Sequence, residues 1–88
     1  MSAYDIFLEL EHGKLYTIDL HGLTLDEARA SLLHLLGTID NSYAGIITIH
    51  GYHKGRVLRD YIRGELSHKL ISKKIVLDAS RTILLLKF

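Results

Sequence analysis

Ile18-Asp19-Leu20-His21-Gly22-Leu23-Thr24 and Ile47-Thr48-Ile49-His50-Gly51 are two versions of one device, a short β-rich run ending in a His-Gly pair. A helical pattern follows each. Thr24 can cap a first turn, and Glu27 three residues later completes a capping box. Leu25, Ala28, Leu32, Leu35 and Leu36 then recur at helical spacing, and Gly37 supplies a stop. Beyond the second pair, Arg56 to Leu70 reads as helix, with Leu58, Tyr61, Ile62, Leu66 and Leu70 facing a core. Strand and helix in alternation predict parallel strands joined by right-handed crossovers. Parallel strands bring their carboxyl ends to one sheet edge, where α/β folds collect ligands. The two histidines, 29 residues apart in the chain, are therefore expected together at that edge.

Outward from this unit, the first strand covers Leu15 to Leu20 and the second Gly45 to Ile49. Ile75 to Leu77 makes another strand, Asp78-Ala79-Ser80-Arg81 turns, and Thr82 to Lys87 returns antiparallel to its predecessor. Upstream, Ile6 to Leu10 reads as an extra strand joined by a hairpin turn at residues 11–14, so that residues 1–14 form an N-terminal extension. The expected fold is an α/β two-layer sandwich of order (β)βαβαββ, its mixed sheet four- or five-stranded and its last strand antiparallel. The 88 residues suffice for one domain. There is no proline, so the turns rest on glycine and Asx residues.

The absence of cysteine excludes a disulfide framework, a thiolate nucleophile and a Cys-type zinc site, and fits a cytoplasmic protein. No apolar run approaches the ~18 residues of a membrane span, and the first five residues show no secretory pattern. Net charge is +1, but its distribution is uneven. Residues 1–49 hold Lys14 and Arg29 against seven carboxylates, a net −5. Residues 50–74 hold seven cations (Lys54, Arg56, Arg59, Arg63, Lys69, Lys73, Lys74) against Asp60 and Glu65, a net +5. A solvated helix face and a polyanion-binding surface both account for such a segment.

Strand alternation places Ile18 and Leu20 toward the core and Thr17, Asp19 and His21 on the other side. In the second strand Ile47 and Ile49 are expected to pack inward, leaving Thr48 and His50 outward. Asp19 and His21, roughly 6.5 Å apart along the strand, can share a carboxylate–imidazole hydrogen bond. Such a carboxylate orients an imidazole for acid–base work, with His50 as a second proton-transfer group; the pair serves equally well as a cap on the βα turn. The second turn, His50 to Arg56, combines Gly51 and Gly55 with Lys54 and Arg56, a composition suited to cradling phosphate. Arg59 and Arg63 extend it at helical spacing, Tyr52 can stack on a base, and His53 lies in the same loop. The Gly-x4-Gly-Lys-[Ser/Thr] phosphate loop is absent. His12, His34 and His68 read as solvated or structural, and no ligand triad calls for a metal.

The segment Ile18 to Thr24, with the helix at Glu27-Ala28, resembles the leading motif of the Smr (small MutS-related) domain. Ile49-His50-Gly51, with Lys54-Gly55 and Val57-Leu58-Arg59, resembles that family's second, glycine-bearing motif. The resemblance covers about residues 15–87. It departs at Tyr52-His53, which lengthen the second turn, and at Asp78 to Arg81, where many members carry a glycine-rich segment. It implies a domain over residues 15–88 folded like the C-terminal domain of translation initiation factor three. It also implies nucleic-acid binding, endonucleolytic cleavage of RNA or nicking of DNA, and action at stalled ribosomes.

By motif, Asp19 and His21 match residues tied to cleavage, while His50, Gly51 and Gly55 match the second motif. The resulting expectation is a cofactor-free, metal-free endonuclease, RNA favoured. Its catalytic groups are Asp19, His21 and His50. Gly22, Gly51, Tyr52, His53, Lys54, Gly55, Arg56, Arg59 and Arg63 form its binding surface. The rival readings are a non-catalytic nucleic-acid or ribosome-binding module and a plain protein-interaction domain.

Overall fold

The computed structural model describes residues 13–51 and 56–88. Within them β1 (Lys14–Asp19), α1 (Leu25–Thr38), β2 (Tyr43–Ile49), α2 (Arg56–Asp60), β3 (Ile71–Asp78) and β4 (Arg81–Leu86) follow in order. The sheet runs β1-β2-β4-β3. β1 and β2 are parallel, while β4 is antiparallel to both β2 and β3. The mixed, open, four-stranded sheet with two helices is the α/β sandwich the alternation predicts. The expected strand at Ile6 to Leu10 lies outside the described residues.

α1 begins as its sequence dictates. Glu27 N–H donates to Thr24 Oγ1 at 3.2 Å, and Glu27 Oε1 accepts from Thr24 N–H at 2.9 Å, a closed capping box. It ends two residues later than expected. Gly37 lies inside the helix, and the chain turns extended at Ile39, whose N–H still reaches the Leu35 carbonyl at 2.8 Å. A glycine permits a helix end but does not impose one; here the polar Asp40-Asn41-Ser42 connection follows instead.

α2 differs more. After Asp60 it widens into a π-helical turn over Tyr61–Glu65, closed by Leu66 N–H donating to the Tyr61 carbonyl at 2.8 Å. The helix stops there, Leu70 is not part of it, and β3 starts at Ile71 rather than Ile75. The His68 imidazole Nδ1 accepts from Leu70 N–H at 3.1 Å and its carbonyl from Ile71 N–H at 3.0 Å, turning the chain into the strand. Apolar spacing alone could not detect this, because Leu66 and Leu70 are core-directed in either conformation.

Two apolar clusters flank the sheet. Leu20, Ala28, Leu32, Leu36, Ile46, Leu58, Ile62 and Leu84 make the larger one, between sheet and helices. Ile75 and Ile83, with Leu15, Ile47, Leu77 and Leu85, make a smaller one on the opposite face. Ile46 therefore faces the helices, and by alternation so do Thr48 and His50; Ile47 faces away. The expected parity of β2 is reversed. Its run Ala44 to Ile49 is apolar at both parities, as in a strand covered on both sides, and gave no basis for choosing.

Candidate acid–base site and nucleic-acid interface

Both His-Gly pairs sit where β1 and β2 end. Leu20 N–H donates to the Ile49 carbonyl at 2.8 Å, continuing the parallel pairing into the turns. Gly22 has φ 82° and Gly51 φ 90°, a left-handed backbone costing an L-residue roughly 1–2 kcal/mol. This explains the glycine after each histidine. A Cβ on Gly51 would stand 3.4 Å from His21 Cβ, so the second turn passes directly beside the first histidine.

Asp19 and His21 form the predicted pair. His21 Nδ1 lies 2.6 Å from Asp19 Oδ1, which also accepts the His21 backbone N–H at 3.1 Å. The side chains are 52% (Asp19) and 69% (His21) exposed, so a large substrate can reach them. The side-chain hydrogen bond from His21, then the backbone one, holds the Asp19 carboxyl below the usual carboxylate range. An ionised carboxylate only accepts, so Nδ1 carries the proton toward Asp19 and Nε2 is the ring nitrogen left for other chemistry.

His50 reaches the same edge but not the same side. It is fully buried, its Nδ1 donating to the Gly51 carbonyl at 3.1 Å and its Nε2 accepting from Thr82 Oγ1 at 3.0 Å. Thr82 Oγ1 in turn accepts from Arg63 Nε at 2.8 Å. Arg63 also donates through NH2 to the Asp78 carbonyl at 2.8 Å. The β3–β4 turn is drawn in as well: the Ser80 carbonyl accepts from His50 N–H at 3.0 Å and Gly51 N–H at 3.2 Å. Thr48 Oγ1 donates to the Thr82 carbonyl at 2.6 Å. Among the described residues no buried side-chain nitrogen or oxygen lacks a partner. Burial pushes the His50 pKa down, as do the Arg63 and Arg59 charges.

Of the expected arginine stripe, Arg56 is exposed, whereas Arg59 pairs with Asp60 at 3.0 Å and Arg63 is turned into the network. The π turn begins at Tyr61 and breaks the step from Arg59 to Arg63 on which the expected i, i+3, i+7 stripe depends. Tyr52, His53, Lys54 and Gly55 lie outside the described residues. Thr82 as the partner of His50, and Arg63 as the partner of Thr82, escaped sequence reasoning. The available signal was Thr48 and Thr82, each among isoleucines and leucines and each requiring a bond if buried.

Among the described residues no three histidines or carboxylates are grouped to hold a metal ion, and no helix is long and apolar enough to cross a membrane. The family model of the Smr domain matches residues 18–81. No curated protein and no solved structure matches the chain.

Proposed function

The chain belongs to the Smr domain family, associated with nucleic-acid binding and endonuclease activity, and from that premise we propose that it cleaves RNA by acid–base chemistry at Asp19 and His21. The observation that carries the reading is the 2.6 Å Asp19–His21 contact, exposed at the edge where two parallel strands end. His21 Nε2 takes the proton from a ribose 2′-hydroxyl. The 2′-oxygen attacks the adjacent phosphorus, the bond from phosphorus to the 5′-oxygen breaks, and the departing oxygen takes a proton from a water that recovers it from the His21 imidazolium. A 2′,3′-cyclic phosphate and a free 5′-hydroxyl result. Asp19 keeps His21 in the required tautomer and stabilises the imidazolium that forms. DNA has no 2′-hydroxyl and resists this route.

In this proposal His50 does not touch the substrate. Together with Thr82 and Arg63 it positions the Gly51 turn beside His21. Gly22, Gly51 and Arg56 contact the backbone of the nucleic acid, and the cysteine-free composition supports a reducing, cytoplasmic setting. The binding-only reading, including binding to ribosomal RNA, draws support from one observation: the enclosure of His50 leaves a single exposed imidazole at the edge among the described residues.

End-labelled RNA and DNA of matched sequence, incubated with wild type, His21→Ala and Asp19→Asn, test the proposal. RNA cutting that survives chelator, leaves cyclic phosphate ends and falls at least a hundredfold in both variants is expected. Metal-dependent nicking of DNA at an equal rate would overturn the mechanism. Tight RNA binding with no cutting by wild type would establish the binding module.

A further inference from the structure

At the end of the sheet opposite Asp19 and His21, where β3 begins and β4 ends, two surface depressions flank the turn at Lys69-Leu70. One, of about 290 Å³, is lined by residues that include Ser67, His68 and Lys73. The other, of about 450 Å³, is lined by Lys69, Leu70, Lys87 and Phe88. Their floor is fixed by the Ile71–Leu86 pairing and by Lys87 N–H donating to the Leu70 carbonyl at 2.8 Å. Phe88 is 59% exposed and lines the same depression as Lys69 and Lys87. Lys69, Lys73 and Lys87 reach solvent, and among the described residues none of them is in an ion pair.

We propose that Phe88, Lys69, Lys87 and Lys73 form a second single-stranded RNA contact, in which a base stacks on the Phe88 ring while the lysines hold the flanking phosphates. Three features favour this occupant. An exposed aromatic ring set among cations is the combination single-stranded nucleic acids use, the ring taking any base face and the cations taking the phosphates. The depressions are open and shallow, suited to an extended chain. Sited across the length of β4 from the acid–base edge, roughly 17 Å for a six-residue strand, the platform would hold a strand that also reaches His21. The inference deepens the RNA reading of the domain but requires no chemistry at Asp19 and His21.

The chain has no tryptophan, so Phe88→Trp installs a single reporter on the ring itself. It is placed in a His21→Ala background so that the RNA remains intact. An oligouridylate decamer is expected to quench its emission, and inorganic polyphosphate of equal charge to leave it unchanged. Phe88→Ala in the same background is expected to weaken decamer binding about tenfold, the loss of one stacked base. Decamer bound without quenching would overturn the platform and leave the acid–base proposal standing. Equal quenching by polyphosphate would overturn it too, as would unchanged affinity in Phe88→Ala. Quenching in this protein with no RNA cleavage by wild type would support the platform and remove the cleavage proposal.

Discussion

Thr82 Oγ1 stands between a guanidinium that only donates and an imidazole whose far nitrogen faces a carbonyl. Its hydroxyl proton therefore points at His50, and the network is complete with the neutral ring. The sign of the pH dependence follows. The folded-state pKa of His50 lies below its ordinary value of 6.5. As pH falls through that value the unfolded chain binds more protons than the folded one, and stability declines with it. Urea midpoints should drop between about pH 7.5 and 5.5 in wild type, and the drop should shrink in His50→Gln. Asp78 acts in a lower window. Its bond to Arg81, aided by Ser80, lowers its pKa from 3.8 to about 2. The stability it adds is complete above 3.8 and is lost as pH falls through about 2, so acid titration of Asp78→Asn should lack that loss. Gly51→Ala should cost roughly 1–2 kcal/mol by thermal unfolding, since its φ is left-handed, while the new methyl would stand at ordinary contact distance from His21.

At the level of elements, Gly37 offers the converse experiment. It lies within α1 with open space where a Cβ would go, so Gly37→Ala should stabilise by about 0.5–1 kcal/mol in urea denaturation. Thr82→Val keeps the shape of β4 but strips Arg63 Nε and His50 Nε2 of their shared partner. A loss of roughly 1–3 kcal/mol is expected on unfolding. These two elements also show what was legible beforehand. The capping box, the αβ alternation and the Asp19–His21 pair could be read because each depends on short-range spacing along the chain. The facing of β2 could not, because isoleucines occupy both parities. The role of Arg63 depends on residues 15 to 19 positions away and on a helical turn wider than spacing rules assume, so pattern alone placed it on a binding stripe.

Over the whole molecule, the basic segment resolves into two populations. Arg63 and Lys74 are engaged internally, the latter on the Leu66 carbonyl, while Arg56, Lys69 and Lys73 are exposed at the surface. Salt dependence should register only the second kind. Lys69→Gln with Lys87→Gln should lower the log–log slope for single-stranded RNA by about 1.4, or about 0.7 for each phosphate no longer neutralised. Arg63→Gln should reduce stability and leave that slope nearly unchanged. Equilibrium titrations across a salt series, paired with urea melts, separate the two.

The sheet order has a further consequence for how the chain acquires its shape during synthesis. β4 leaves the ribosome after every other described strand yet inserts between β2 and β3, and it carries the threonine on which His50 depends. Until it emerges, β2 and β3 have no common neighbour and the imidazole has no hydroxyl to accept from. The domain should therefore snap shut late, in one cooperative step after its last strand is free of the exit tunnel. A nascent chain stalled before Arg81 would hold both residues of the Asp19–His21 pair and lack the strand that braces the turn beside it.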